Sequence, residues 1–304
     1  MKKTLVSLAA VAFSATAVAG NFTIDNGIDF QFPANGSTST SLIGGLGFTG
    51  TLATSIYLGN PAVIGTQVVD TNQASVMNFY GFAPGAKLAL DATPLNFAYP
   101  SNPGGLNINA LNNVPAVTDT NGFVSGEGFP DYGQFGSWGL TYDYTIFGVT
   151  TATGVNFTSG FFNVYYQSGD ANDGQQVLRL NLTGSNTQQA NLTLSGNMSF
   201  DFDGNGTDDS NAFSQAFWAS ANGVSFYNSW LAAPGNLTWE INTNVNPPLP
   251  TVSQLWASTS GALFRQTELN GSISLNVPEP GSLALFGLAL AGMGFAQRRR
   301  NKSA

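Results

Sequence analysis

Short runs in which apolar and polar residues alternate recur along the body of this chain, and turn residues separate them. Gln176–Leu182 alternates residue by residue and follows the turn-forming sequence SGDANDG. A period of two is typical of β-strands with one buried face, whereas the 3.6-residue period of an amphipathic helix is not sustained over any long stretch. The pattern predicts an all-β fold for residues 20–276, as an antiparallel β-sandwich that is jelly-roll-like.

The individual runs predict the elements of this body. One short helix is expected over Phe213–Ala219, because Phe213, Ala216 and Phe217 share a helical face. Residues 92–131 are rich in Pro, Asn and Gly and predict a long surface loop. Strands are predicted over Phe22–Ile24, Ile28–Phe32, Val76–Tyr80, Leu140–Phe147, Phe161–Tyr166, Gln176–Leu182, Ala190–Leu194, Asn197–Phe202, Gly223–Tyr227, Leu237–Ile241 and Leu269–Val277.

Two residue types are missing from the 304-residue chain, namely Cys and His. Without them the chain cannot form disulfides, Ser-His-Asp or Cys-His nucleophilic sites, or the usual zinc sites. A metal bound here would be a hard cation with oxygen ligands, such as calcium.

The charges are distributed unevenly along the chain. Six of the nine basic residues lie near the two termini. Between Asp25 and Glu279 this leaves Lys87, Arg179 and Arg265 against all 17 acidic residues, a net charge of −14 for that stretch. Such a surface repels nucleic acid, and it suits cations or neutral glycans. An alternative explanation is that the carboxylates serve solubility alone.

The N-terminal residues 1–19 have the three parts of a secretory signal peptide. Lys2 and Lys3 precede the apolar stretch Leu5–Phe13, and Ala17 and Ala19 form an A-x-A cleavage site. The apolar stretch is too short for a permanent anchor of about 20 residues. We therefore predict export followed by cleavage.

The C-terminal residues 277–304 also have three parts. Pro278-Glu279-Pro280 precedes an uncharged apolar run of 14 residues, Leu283–Ala296, and Arg298, Arg299 and Arg300 follow it. The run predicts a short transmembrane helix whose arginines stay on the cytoplasmic side, so that the body lies outside. The prolines make the preceding segment stiff and extended, which suits recognition by a protease. An ordinary anchor with a proline linker is the alternative.

This tripartite end resembles the PEP-CTERM sorting signal of Gram-negative bacteria. The resemblance implies that the membrane protease exosortase is a partner, with Pro278, Glu279, Pro280 and the arginine cluster as its recognition residues. It also implies a transient stay in the inner membrane, then a place at the cell surface or in the extracellular matrix. Its expected role is with exopolysaccharide, in biofilm or floc formation. The body and tail together are also similar to the flocculation-associated PEP-CTERM proteins.

An acidic segment, Asp201–Asp209, matches the pattern D-x-D-x-[DN]-G-x-x-D. Calcium takes six to eight oxygens at about 2.3–2.6 Å, and alternate positions of a tight loop direct several oxygens to one point. Ala212 occupies the twelfth position, where an EF-hand has Glu, so the loop is not an EF-hand. The alternative is a solvated acidic turn, which is also how we interpret Asp170–Gly174. The predicted calcium ligands are Asp201, Asp203, Asn205, the carbonyl of Thr207, and Asp209.

Two other functions stay open, although we predict that the protein is not an enzyme. A secreted carbohydrate-active enzyme would need a carboxylate pair, and the candidates are Glu127, Asp131, Glu240 and Glu268. A calcium-dependent glycan-binding module would need exposed aromatic rings, whereas Trp in a β-protein is usually part of the core. The aromatic candidates are Trp138, Trp218, Trp230, Trp239, Trp256, Tyr165 and Tyr166.

Overall fold

The computed structural model describes residues 21–27, 38–40, 42–81, 109–111, 139–167, 171–172, 174–188, 191–244, 249–258 and 260–276. Within these ranges, no helix has the length and hydrophobicity needed to cross a membrane. The predicted signal peptide, the predicted transmembrane helix and the predicted strand Ile28–Phe32 lie outside the described residues.

The described part of the chain is mostly strand. Its three helices are short: α1 (Ala74–Phe79), α2 (Ala212–Phe217) and α3 (Phe226–Ala232), with a 3₁₀ turn at Val252–Gln254. The strands are β1 (Phe22–Ile24), β2 (Leu46–Tyr57), β3 (Gln67–Thr71), β4 (Asn109–Leu111), β5 (Gly139–Thr150), β6 (Val155–Gln167), β7 (Gln176–Gln188), β8 (Asn191–Ser199), β9 (Trp218–Ser220), β10 (Thr238–Asn244), β11 (Trp256–Ala257) and β12 (Leu263–Asn276).

Eight of these strands form a closed circuit. The order is β10-β8-β7-β6-β5-β3-β2-β12, and β10 pairs with β12 as well as with β8. Every pairing around the circuit is antiparallel. Strands β4 and β11 add to it at β5 and β12. Within the described residues each of the eight strands therefore has a pairing partner on both sides, although β3 pairs only with Thr54–Tyr57 of β2. This closure leaves less free strand edge for pairing with another chain.

The connectivity confirms one part of the sequence-based prediction and corrects another. An antiparallel all-β body is confirmed, and opposite walls of the circuit face each other across one core, as the layers of a sandwich do. The jelly-roll connectivity is wrong, because neighbours around the circuit follow chain order and no strand crosses over. Short connections explain this: Thr150 to Val155 and Gln188 to Asn191 leave room only for hairpins.

Apolar side chains fill the inside of the circuit because buried and exposed residues alternate along its strands. In β10, Trp239, Ile241 and Thr243 are buried and face inward, whereas Glu240 and Asn242 are exposed. β8 alternates in the same way. This is the pattern that a sheet with one buried face requires.

A small unit built from β1, β9, α2 and α3 packs against the circuit. Strand β1 pairs with β9, and the rings of Phe22, Trp218 and Phe226 pack with centroids 5.6–6.2 Å apart. Helix α2 begins at a capping box in which Asn211 and Ser214 bond each other's backbone N–H. The predicted helix over Phe213–Ala219 is therefore confirmed with slightly earlier bounds.

Two predicted strands are helices in the structure. Val76–Tyr80 lies in and just after α1. Met77 on the buried side of α1 packs against Ile56 and Phe264, on the outer side of β2 and β12, whereas Phe79 on its other side is 80% exposed. Gly223–Tyr227 was predicted as a strand, but Gly223 has φ +75° and turns the chain into α3.

Two other predicted strands, Ala190–Leu194 and Asn197–Phe202, are one continuous strand, β8. Gly196 lies between the two predicted strands. In the structure it pairs with Leu182, next to a β-bulge between Leu182 and Gly184, and a Cβ there would lie 1.8 Å from the carbonyl oxygen of Asn181. Close approach of the neighbouring strand, and not a turn, requires this glycine.

Candidate functional site

The acidic loop Asp201–Asp209 leaves the end of β8 and precedes α2. One carboxylate oxygen from each of Asp201, Asp203 and Asp209 lies within 4.8 Å of the others. Two ligands of one calcium ion, each about 2.3–2.6 Å from it, are at most about 5 Å apart. The three carboxylates are therefore close enough together to contact a single ion.

Backbone N–H groups hold these carboxylates in place. Asp201 accepts from the N–H groups of Gly204 (2.7 Å) and Gly206 (2.8 Å), and Asp209 accepts from those of Phe202 (2.9 Å) and Asp203 (3.2 Å). Gly204 and Gly206 both have positive φ, 83° and 91°, which allows the backbone to wrap around Asp201. The loop therefore orients these carboxylates before any cation arrives.

The other two predicted ligands contact each other within the same loop. Oδ1 of Asn205 accepts hydrogen bonds from the N–H of Thr207 (2.8 Å) and from its hydroxyl. Nδ2 of Asn205 donates to Asp203 (2.7 Å). The structure thus brings three of the five predicted ligand residues together as a carboxylate cluster, with Asn205 and Thr207 beside it.

Asp208 turns away from this cluster. Oδ2 of Asp208 accepts a 2.6 Å hydrogen bond from the hydroxyl of Tyr227 on α3, and Oδ1 accepts from the N–H of Ser210 (2.9 Å). Slight burial raises the pKa of Asp208, but the hydrogen bonds from Ser210 and Tyr227 outweigh it and keep this pKa below its usual value. Asp208 therefore attaches the loop to α3.

Arg179 on β7 is a cation beside the loop that sequence reasoning missed. Its Nη1 donates to the carbonyl of Phe202, and its guanidinium lies 4.2 Å from the ring centroid of Phe161. Burial lowers the pKa of Arg179, and Asp201, Asp143 and Asp203 oppose this shift. Arg179 already offsets part of the negative charge that a metal ion would meet, and only the fold brings it there.

The two Trp residues that the structure buries fully are core residues, as expected. Nε1 of Trp218 donates to the carbonyl of Val177 at 3.0 Å, and Nε1 of Trp239 lies 3.2 Å from the carbonyls of Asn181 and Asn197. Tyr165 and Tyr166 are also buried, whereas Trp230 is half-buried against Phe200. The side chains of Trp138 and Trp256 lie outside the described residues.

The candidate carboxylates for an enzyme do not come together where they are described. Glu240 on β10 faces solvent opposite Ser274, which is six residues along β12 from Glu268. Six residues of a strand span about 20 Å. A glycosidase pair needs carboxyl groups about 5–9.5 Å apart, and the backbone positions of Glu240 and Glu268 are separated by more than that. Glu127 and Asp131 lie outside the described residues.

The outer surface of four adjoining strands carries a row of uncharged polar residues. Asn186 on β7 pairs with Thr193 on β8, Thr193 pairs with Asn242 on β10, and Asn242 pairs with Ser272 on β12. Asn186, Asn242 and Ser272 are exposed, and Thr193 is half-buried. We call these four residues the polar row. Each of them offers both a donor and an acceptor to a molecule outside.

The C-terminal segment decides the family. Residues 276–300 match the PEP-CTERM protein-sorting motif. The chain is a PEP-CTERM domain-containing protein. The motif is the substrate signal of exosortase, so this PEP-CTERM protein is sorted by exosortase to the cell surface or the extracellular space.

The predicted recognition residues Pro278, Glu279, Pro280 and Arg298–Arg300 fall inside the matched segment of this PEP-CTERM protein, although they lie outside the described residues. The predicted cleavage residues Ala17 and Ala19 also lie outside the described residues. Comparison of the whole chain with curated proteins and with solved structures gives no match.

Proposed function

We propose that this PEP-CTERM protein is a non-catalytic component of the extracellular matrix that contacts exopolysaccharide and promotes biofilm or floc formation. The sorting motif at residues 276–300 is the observation that carries the proposal, because it commits the protein to exosortase and to the outside of the cell. Before cleavage, residues 277–304 hold the precursor in the inner membrane of a Gram-negative cell. The flocculation-associated PEP-CTERM proteins are the subgroup that this role fits.

The polar row supports contact with a glycan. Amide and hydroxyl side chains can exchange hydrogen bonds with the hydroxyl groups of sugars without burying an ionised group. Asn186, Asn242 and Ser272 present such groups side by side on adjacent strands. With a net charge of −14 between Asp25 and Glu279, the protein favours a neutral polysaccharide over an anionic one.

The closed circuit supports a role in a crowded matrix. An open sheet edge at high local concentration would pair with other copies, whereas these eight strands pair with one another. Contacts to the matrix would therefore come from side chains on the outer surface of the circuit.

Calcium binding by the acidic loop is a second proposal, supported by the 4.8 Å carboxylate cluster. The ligands would be Asp201, Asp203 and Asp209, with Asn205 and the carbonyl of Thr207 as further oxygens. The ion would neutralise the loop and hold β8 against α2. Arg179 competes for the same negative charge and would limit the affinity.

Deleting the gene tests the matrix role directly. Floc or biofilm mass should fall while the amount of synthesised polysaccharide stays the same, and unchanged aggregation would contradict the proposal. Polysaccharide binding can be measured by co-sedimentation with polysaccharide from the same strain. Thr193→Ala with Asn242→Ala should weaken binding, whereas Thr153→Ala, an exposed substitution in the β5–β6 turn, should not.

Two further measurements separate the alternatives. A carbohydrate-active enzyme would release reducing ends from the polysaccharide, whereas a matrix protein would bind it unchanged. The mass of the protein recovered from cells distinguishes sorting from permanent anchoring, because exosortase cleavage removes Arg298–Arg300 and an anchor retains them.

A further inference from the structure

The inside of the closed circuit contains a cavity of about 60 Å³, lined by residues from all eight strands. Most of the wall is apolar, with Ile146, Phe162, Leu194 and Ile273 among its residues. At roughly 15 Å³ for each water-sized group, the cavity holds about four such groups. Its size therefore suits a molecule with a handful of non-hydrogen atoms.

One wall of the cavity is polar because three residues lie in line across three strands. Ser55 on β2 is the pairing partner of both Asp70 on β3 and Arg265 on β12. Directly paired residues point to the same side of a sheet, and all three line the cavity. Their exposed fractions are 8%, 7% and 2%, so both charged groups are inside the protein.

The carboxylate of Asp70 already has hydrogen-bond partners on both of its oxygens. Oδ2 accepts from the hydroxyl of Ser55 (2.5 Å), and Oδ1 accepts from the hydroxyl of Tyr144 (2.7 Å). Against the larger upward effect of burial, the positive charge of Arg265 is close enough to lower the pKa of Asp70.

Arg265 is the unusual member of this row. Its Nε and Nη2 atoms are buried and have no hydrogen-bond partner among the described residues. These two nitrogens form one edge of the planar guanidinium, and their N–H bonds point the same way. A guanidinium edge of this kind matches the two oxygens of a carboxylate, and leaving it unpaired in a low-dielectric interior is unfavourable.

We propose that the interior of the circuit binds a short-chain monocarboxylate, from acetate to butyrate in size. Its carboxylate pairs with Nε and Nη2 of Arg265, and its alkyl group packs against the apolar side of the cavity. The alkyl group distinguishes this ligand from an inorganic anion, for which the surrounding Ile, Leu and Phe residues offer no partners. At pH values above the folded-state pKa of Asp70, its negative charge also disfavours a divalent anion.

The experiment is titration of the purified protein with butyrate at constant ionic strength, followed by calorimetry and by thermal unfolding. Butyrate should bind and raise the melting temperature, whereas 1-butanol, with the same four-carbon chain but no carboxylate, and sulfate should not. If sulfate binds as tightly as butyrate, or if no acid from acetate to butyrate binds, the proposal is wrong.

Two variants of Arg265 locate the site. Arg265→Met keeps the apolar length of the side chain and should abolish binding. Arg265→Lys keeps the charge but loses the pair of parallel N–H donors, so the affinity of this variant for butyrate should be at least tenfold lower. Arg179→Lys is the matched control, because Arg179 is not among the cavity-lining residues and should leave butyrate binding unchanged. Butyrate affinity that is the same in Arg265→Lys and in the unmodified protein would overturn the assignment.

A third variant keeps the test valid if Arg265→Met does not fold. Asp70→Asn removes the negative charge that Asp70 carries at pH values above its folded-state pKa, so at such a pH butyrate should bind more tightly to this variant than to the unmodified protein. Weaker or unchanged binding would contradict the proposed position of the ligand. The matrix role does not enter this test, since polysaccharide binding is measured at the outer surface of the circuit.

Discussion

The hydroxyl of Tyr144 on β5 donates a 2.7 Å hydrogen bond to Oδ1 of Asp70 on β3, inside the circuit. Burial raises the pKa of Asp70, while the hydrogen bonds from Ser55 and Tyr144 and the charge of Arg265 lower it, and the net effect is upward. The folded protein therefore holds a proton on Asp70 at pH values where the unfolded chain has released it.

The first prediction follows from this shift and concerns pH and stability. As pH rises above about 4, the unfolded chain loses the Asp70 proton first, so the free energy of unfolding falls until pH reaches the folded-state pKa. Asp70→Asn removes this effect. Urea unfolding between pH 4 and pH 7 should show the unmodified protein losing stability relative to Asp70→Asn as pH rises.

Asp208 provides a control with the opposite sign. Its folded-state pKa is lowered, so its contribution is present above its unfolded pKa and is lost as pH falls through the folded value. The unmodified protein should therefore gain stability relative to Asp208→Asn as pH rises. Parallel pH profiles for Asp70→Asn and the unmodified protein would contradict the role assigned to Asp70.

The second prediction concerns calcium. At a free concentration of 100 Kd, calcium should stabilise the folded protein by about 2.7 kcal/mol. For a body of this size that is a rise of roughly 5–10 °C in melting temperature. Asp203→Asn and Asp209→Asn should lose this response, because each removes a charge from the cluster. The measurement is thermal unfolding with calcium and with a chelator.

Asp208→Asn is the matched control for the calcium prediction. It removes the same charge from the same loop, but Asp208 bonds Tyr227 and Ser210 and is not part of the cluster. The calcium response should therefore survive in Asp208→Asn. A melting temperature that is identical with calcium and with chelator in the unmodified protein would remove calcium from the proposed function.

The sequence pattern predicted β8 and β10, which have one solvated face, and missed β3, which has none. β8 and β10 alternate clearly because their outer residues meet water. β3 has no such alternation, since Val68 and Asp70 face the interior while Val69 is covered by α1 on the other side. A polar residue at an inward position, such as Asp70 or Ser55, also interrupts the apolar period on which the prediction depends.

In the acidic loop, the sequence likewise predicted some contacts and missed others. The spacing of Asp201, Asp203 and Asp209 was sufficient to predict that their carboxylates come together, because the contacts are local. Arg179 and Tyr227 reach the loop from 18 or more positions away, through strand pairing and helix packing. Nothing in the local pattern indicates them, and the row formed by Asp70, Ser55 and Arg265 likewise depends on the register of three strands.

The third prediction compares two glycines at the β7–β8 pairing. Gly196→Ala should destabilise the protein by more than about 2 kcal/mol, because its Cβ would lie 1.8 Å from the backbone oxygen of Asn181, which cannot move without separating the strands. Gly184→Ala should change stability by about 0.5 kcal/mol or less, since its Cβ meets no atom within 4 Å. Urea unfolding of both variants provides the measurement, and equal effects would show that the pairing is misassigned.

The fourth prediction separates a core role from a glycan-stacking role for tryptophan. Trp239→Ala should cost about 3–5 kcal/mol in unfolding free energy, because a buried indole is replaced by a cavity. Trp239→Phe keeps most of the apolar volume but leaves the carbonyls of Asn181 and Asn197 without the indole N–H, so a smaller loss is expected. Glu240→Ala, at the adjacent exposed position, is the control and should cost about 0.5 kcal/mol or less. If Trp239→Phe instead kept full stability and lost polysaccharide binding, Trp239 would belong to a glycan site and not to the core.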